Sequence, residues 1–162
     1  MRSLSLQLSP PVLHQFGLVP ALGWLAEELQ RAYDLSIQVS DDGKSKPLST
    51  ESCNMLFRIV RELLINVHKH AKVRKAVVDI SVVEECLILS VTDDGLGFDA
   101  RKDIAPSVQG GYGLFSIRER ISYIGGEMHI DSSPGDGTVV VLSLPLERRI
   151  RERMGNDTVA VG

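Results

Sequence analysis

The chain has 162 residues, a length that suits one domain with a real core. Apolar residues make up 43% and charged residues 24%, and the formal net charge of −3 argues against a broad nucleic-acid surface. No apolar run approaches the about 18 residues that span a membrane, and no signal peptide is visible around Arg2. Aromatics are only 5%, so aliphatic side chains must fill the core. Cys53 and Cys86 form no CxxC pair and read as small core residues, which fits a reducing, cytoplasmic setting.

In chain order, Leu4, Leu6 and Leu8 alternate with other residues and run into Ser9-Pro10-Pro11. The prolines exclude a continuing regular helix, and Gly17 closes this leading segment. From Leu18 the period turns helical, with Leu18, Leu22, Leu25, Ala26 and Leu29 on one face. Ser36 to Ser40 alternates as a short strand, and Asp41 to Pro47 is a turn or loop. Ser49-Thr50-Glu51 opens a helix that should run to about His70, with Leu56, Val60, Leu63, Leu64, Val67 and Ala71 as its core stripe. Glu62, Asn66, Lys69 and His70 fall on a neighbouring stripe. A solvated polar face is the default reading of such a stripe.

Lys75 to Val83 and Cys86 to Val91 predict a hairpin around Glu84-Glu85. Just beyond come Asp93, Asp94, Gly95 and Gly97, which alone read equally well as an Asp-Gly turn. Asp99 to Gly110 is polar and holds Pro106; it is expected to be a mobile functional loop. A helix follows from Leu114 to Ile124 and ends at Gly125-Gly126. Met128 to Ser132 is a strand, Pro134 to Gly137 a tight turn, and Thr138 to Leu144 an apolar strand stopped by Pro145. Residues 147–162 read as a flexible tail. There is no internal repeat, and residues 18–146 form the one domain. The order of elements predicts an α+β fold of two layers, helices on one face of a mixed, mostly antiparallel sheet.

Three motifs stand together: Glu62-x3-Asn66-x2-Lys69-His70-Ala71 on a helix, Asp93-x-Gly95-x-Gly97 after a strand, and Gly111-x-Gly113-Leu114 opening a helix. The set resembles the N, G1 and G2 boxes of the GHKL ATPase superfamily, which includes gyrase, large heat-shock chaperones, mismatch-repair ATPases and histidine kinases. Gly135-Asp136-Gly137-Thr138 matches that family's last glycine turn. Within it, the chain looks most like the catalytic domain of two-component sensor histidine kinases of the nitrate/nitrite-sensor type. Lys69-His70-Ala71, Arg118-Glu119-Arg120 and the segment from Leu8 to Leu22 carry that narrower likeness. Residues 1–17 would then be the remnant of a link to dimerisation and phosphoacceptor helices outside this chain.

The resemblance implies a Bergerat-type ATP-binding fold and gives each motif a role. Asp93 would read the adenine amino group, with Gly95 and Gly97 letting the loop approach the base. Asn66 would coordinate Mg²⁺ through its amide oxygen, which suits a hard cation. Glu62 would orient or activate the attacking group, and Lys69 would neutralise phosphate. Gly111, Gly113 and Leu114, at a helix N-terminus, would offer backbone N–H groups to phosphate, and Thr138 belongs to the last glycine turn. ATP and Mg²⁺ are the implied cofactors. The implied partners are the kinase's own acceptor domain and, indirectly, a response regulator, with no nucleic acid. The fragment is expected to be monomeric, and the full-length protein a homodimer with room for a membrane anchor.

Other residues carry less. Asp94 reads as solvent-facing or turn-forming. His70 either contacts phosphate or satisfies the helix C-terminus, about evenly. His14, His68 and His129 form no cluster, so they do not suggest a metal site, and His129 should face solvent. At least one of Arg118 and Arg120 should be a surface charge, the other role being phosphate or partner binding. Tyr112 and Phe115 read as lid-anchoring or core residues. None of the histidines precedes an acidic residue, so no acceptor motif is present and the chain looks like a catalytic fragment. The competing readings are an anti-sigma-type serine kinase, a nucleotide-binding interaction module without turnover, and a gyrase-like hydrolase.

Overall fold

A computed structural model describes residues 9–103 and 112–147. Its elements are α1 (Pro11–Phe16), α2 (Leu18–Tyr33), β1 (Ser36–Asp41), α3 (Thr50–Asn66) with a π-helical extension (Val67–Ala71), β2 (Lys75–Val83), β3 (Cys86–Asp93), α4 (Ala100–Asp103), α5 (Tyr112–Tyr123), β4 (Glu127–Ser132) and β5 (Thr138–Pro145). The five strands form one sheet in the order β1-β2-β3-β5-β4. Only the β1–β2 pair is parallel, joined through α3; the other pairs are antiparallel. The mixed α+β sheet expected from the order of elements is therefore present.

Strand register explains why α2, α3 and α5 lie on one side. Val39, Val78, Val91, Val140 and Ile130 form one row across the sheet. Ile80, Leu89, Leu142 and Met128 form the next. Period-two alternation puts both rows on one face, and the opposite face carries Asp79, Ser90, His129 and Asp131. Against the apolar rows pack Leu22, Leu25 and Leu29 of α2, Leu56, Val60 and Leu63 of α3, and Ile117 and Ile121 of α5. Each such side chain stabilises the fold by roughly 1.5–3 kcal/mol when fully buried, which is why aliphatic residues suffice here. Trp24 and Phe57 meet at 6.4 Å between α2 and α3.

Four boundaries differ from the sequence expectation. The two prolines do not keep the leading segment irregular. Pro10 is the N-cap and Pro11 the first residue of α1, where the missing N–H costs nothing, and Leu13 is buried in the core. α3 is α-helical only to Asn66, then widens into the π-helical Val67–Ala71 and ends at Lys72 in a left-handed conformation. β3 runs two residues past Val91, to Asp93, because the ladder with β5 continues to the Asp93–Thr138 pair. The helix expected from Leu114 begins at Tyr112.

The Asp41 to Pro47 loop is pinned by Lys46, which reaches Asp41 at 2.5 Å and Asp42 at 2.7 Å. Cys53 and Cys86 are half-buried and are not joined in a disulfide. Most of the expected lid, Gly111 and the tail lie outside the described residues. Within the described part of the lid, Asp99 Oδ1 accepts the Arg101 N–H at 3.1 Å and opens α4. Among the described residues no helix is long and apolar enough to cross a membrane.

Candidate nucleotide site

The site forms where the ends of β3, β4 and β5 meet the C-terminal end of α3 and the first turns of α5. Asp93 is the last residue of β3 and shares its row with Thr138 and Ser132. That row has the same parity as Val91, Val140 and Ile130, so the Asp93 side chain points to the core side and is half-buried. Its Oδ1 accepts the Gly95 N–H at 2.8 Å. Burial pushes the carboxyl above its ordinary range; the Gly95 N–H opposes the rise and nearby Asp94 adds to it. A half-buried carboxylate with one oxygen fixed and the other given no partner among the described residues suits a ligand that donates a hydrogen bond. The exocyclic amino group of adenine is such a donor.

Ser132 and Thr138 close the floor beside Asp93. Their hydroxyls lie 2.9 Å apart, and the Ser132 hydroxyl also donates to the Gly137 carbonyl at 2.9 Å and accepts the Phe98 N–H at 3.0 Å. The Thr138 hydroxyl is therefore already engaged by the protein.

Two glycines are required here by packing alone. A Cβ on Gly95 would overlap the Cβ and carbonyl oxygen of Ala71, whose carbonyl accepts the Leu96 N–H at 3.0 Å. The π-helical end of α3 thus docks directly on the loop after β3. Gly97 has φ 63°, and a Cβ there would overlap the Ser133 carbonyl. Whatever they do for a base, these glycines are needed for backbone against backbone.

The opposite wall is helical. Glu62 and Asn66 are half-buried, one turn apart on α3, while Lys69 and His70 are exposed on the π-helical turn. Such turns concentrate at functional sites because they redirect side chains within a helix. Gly113, half-buried on the first turn of α5, faces Glu62: a Cβ there would lie 3.9 Å from Glu62 Oε1. Leu114 packs against the core edge. The structure therefore places Gly113 beside Glu62, with Asn66 one turn further along α3, docks Gly95 on the end of that helix, pairs Asp93 with Thr138 in the sheet, and leaves Lys69 and His70 exposed.

Arg120, which the sequence leaves between a surface charge and a phosphate- or partner-binding role, joins the site. Arg120 Nη2 donates to Glu62 Oε2 across 58 residues, while Arg118 is exposed. The signal was there: Gly113, Ile117, Arg120, Ile121 and Ile124 share one face of α5, so Arg120 lies beside the buried stripe. Asp94 and His129 are exposed, as expected. His68 stacks on Tyr33, ring centres 4.5 Å apart, which gives it a packing role. Among the described residues no cluster of His, Cys, Asp or Glu could by itself hold a metal ion. A lone amide such as Asn66 still fits Mg²⁺, which takes few protein ligands alongside phosphates and water. A cleft of about 340 Å³ opens elsewhere, at the N-terminal end of α3 between Ser49, Tyr123 and Glu147, and no proposed nucleotide residue lines it.

Residues 51–148 match the family model of histidine kinase-, DNA gyrase B- and HSP90-like ATPases. The oxygen sensor histidine kinase NreB of Staphylococcus carnosus is 30% identical over 90% of this chain and 41% of its own length. The sensor histidine kinase LiaS of Bacillus subtilis is 36% identical over 90% of this chain and 39% of its own. The chain thus spans about two fifths of these curated relatives. Among solved structures, the histidine kinase domain of the Erythrobacter litoralis EL346 blue-light activated kinase superposes with a TM-score of 0.62. It is 23% identical, covers 81% of this chain and 62% of its own, and so supports the fold. The longer EL346 structure gives 0.64 at 25% identity, over 83% of this chain and 43% of its own. The family match covers more than half of the chain and holds all three glycine and asparagine motifs, and the chain belongs to the family of histidine kinase-, DNA gyrase B- and HSP90-like ATPases.

Proposed function

We propose that this chain is the ATP-binding catalytic domain of a sensor histidine kinase. It passes the γ-phosphoryl group of ATP to a histidine on a dimerisation domain outside this chain, for relay to a response regulator. The observation that carries this reading is the half-buried Asp93 carboxylate, one oxygen fixed by Gly95, at the start of a loop whose Gly95 docks on the end of the helix that carries Glu62 and Asn66. The relatives that match 90% of the chain carry the name sensor histidine kinase, which favours a kinase over a hydrolase.

In this reading Asp93 selects adenine, and the loop from Gly95 to Gly97 shapes the base pocket. Gly111, Gly113 and the N-terminus of α5 donate backbone N–H groups to the phosphates, with Leu114 behind them and Lys69 and His70 adding charge from the rim. Asn66 would hold Mg²⁺, which neutralises and orients the β- and γ-phosphates when bound. The acceptor imidazole nitrogen forms the new bond to phosphorus, the bond from phosphorus to the β,γ-bridging oxygen breaks, and ADP leaves. Glu62 orients the imidazole and takes up its N–H proton. Thr138 supports Asp93 through its strand register. The full-length protein is a homodimer in which this domain works in the cytoplasm, and the isolated chain is a monomer.

The test is incubation of the chain with γ-labelled ATP, Mg²⁺ and a purified dimerisation–acceptor helix module. Acid-labile, base-stable phosphate on the module is expected, at a slow rate because the acceptor is untethered. Acid-stable phosphate would point to a serine kinase, and free phosphate without labelling to a hydrolase.

A further inference from the structure

We propose that Arg120 is a positioning residue for Glu62. The guanidinium holds one carboxylate oxygen, so that the other faces Gly113. The inference rests on the kinase reading above and adds a residue to it.

The ion pair differs from the pairs that Arg31 makes. Arg31 meets Glu27 and Glu28 on its own helix, with Arg31 and Glu27 side chains 69% and 72% exposed, so that contact joins nothing and contributes little. Arg120 and Glu62 are 29% and 33% exposed and lie on different helices. α3 carries Asn66 and α5 carries Gly113, so the pair connects the two walls that face the phosphates.

The donor is itself held. Ile117 and Ile121 bracket Arg120 on α5 and are fully buried, which fixes the rotation of the helix about its axis. Arg120 Nε also points back to the Ser116 carbonyl at 3.4 Å, a weak brace one turn earlier. The acceptor is held too, because Leu63 and Leu64 beside Glu62 are buried. A carboxylate otherwise rotates freely about its last torsion. With Oε2 engaged by Arg120, Oε1 is left toward Gly113 and has no other partner among the described residues. Restraining the carboxylate matters for transfer because a small misplacement of the orienting group is costly in rate. Lysine could supply the charge but not the second N–H that braces the donor on Ser116.

The test uses the full chain and its R120A, R120K, E62A and E62A/R120A variants. Thermal unfolding checks each fold. Calorimetry gives affinities for Mg·ATP and adenosine, and labelling of the acceptor module gives the rate at saturating ATP. Positioning predicts that R120A lowers the saturated rate by roughly tenfold or more, while Mg·ATP and adenosine affinities stay within about twofold. R120K should recover part of the rate, and R120A should cost nothing further in the E62A background. A loss of Mg·ATP but not adenosine affinity, persisting without Glu62, would make Arg120 a phosphate ligand and overturn the proposal. An unchanged rate in R120A, with the parent active, would overturn the proposal and leave the kinase reading standing. A parent that binds Mg·ATP but labels no acceptor would overturn both.

Discussion

The two sides of the nucleotide site are built by different means. The floor around Asp93 is set by strand register and by backbone packed on backbone. Asp93, Thr138 and Ser132 occupy one row, and Gly95 and Gly97 sit where no side chain fits. The helical wall is set by side chains that project from α3 and α5, and among its described residues Glu62 and Arg120 hold one another. Lys69 and His70 are exposed. A floor made of backbone is preorganised before any ligand arrives, so recognition of a base there costs little ordering. A wall of exposed charges must be ordered by the polyanion itself, and its contribution is screened by salt.

Substitutions should separate the two sides. The largest effect falls on the floor: Gly95→Ala must push Ala71 away and should destabilise the fold by roughly 1–3 kcal/mol. Urea unfolding would read it, and an unchanged midpoint would show that the junction between α3 and the β3 loop yields easily. Next, Asp93→Ala removes a charge-assisted hydrogen bond worth ~1.5–3 kcal/mol and should weaken ATP binding by roughly tenfold or more. The same variant should not destabilise the nucleotide-free fold. Burial raises the Asp93 carboxyl in the folded state, so its protonated form is favoured there. Its contribution to stability is fully present below the unfolded pKa and is lost as pH rises through the folded one. At neutral pH the ionised side chain is thus a cost that binding requires. A lower melting point in Asp93→Ala at neutral pH would contradict this.

On the wall, Asn66→Ala should abolish the Mg²⁺ enhancement of triphosphate binding while sparing adenosine, as titrations with and without the metal would show. Full Mg²⁺ enhancement in the variant would remove Asn66 from that role. The smallest effect belongs to Lys69→Ala, about 0.2–1 kcal/mol in ATP affinity and shrinking as salt is added, because an exposed ammonium is a weak, screened contact. A large, salt-independent loss would mean that the rim closes over the phosphates.

The same contrast explains what the sequence revealed. Period-two and helical patterning located each strand and the long helices, because burial on one face leaves a periodic trace, as at Val78, Ile80 and Leu89. Glu62, Asn66, Asp93, Gly95 and Gly97 stood out through their spacing. Their surroundings did not. Gly95 read as a residue that admits a ligand, whereas the space beside it is filled by Ala71, a neighbour 24 positions away that no local pattern announces. Asp93 read as a loop residue because β-rich patterning fades at Val91, yet the ladder with Thr138 keeps it in the strand. The helix after Ser9-Pro10-Pro11 is not legible in the pattern, because prolines break helices as well as start them. The Glu62–Arg120 pair depends on the packing of α3 on α5, which charge patterning along one helix cannot supply.

The account depends above all on Asp93 as an acceptor for an adenine amino group, and competing titrations of Mg·ATP and Mg·GTP into the full chain test that most directly. Guanine presents a carbonyl acceptor where adenine presents its amino donor, so the carboxylate should repel it. The account predicts that ATP binds at least about tenfold more tightly than GTP, and that Asp93→Ala closes most of that gap. Equal affinities in the parent chain would contradict it.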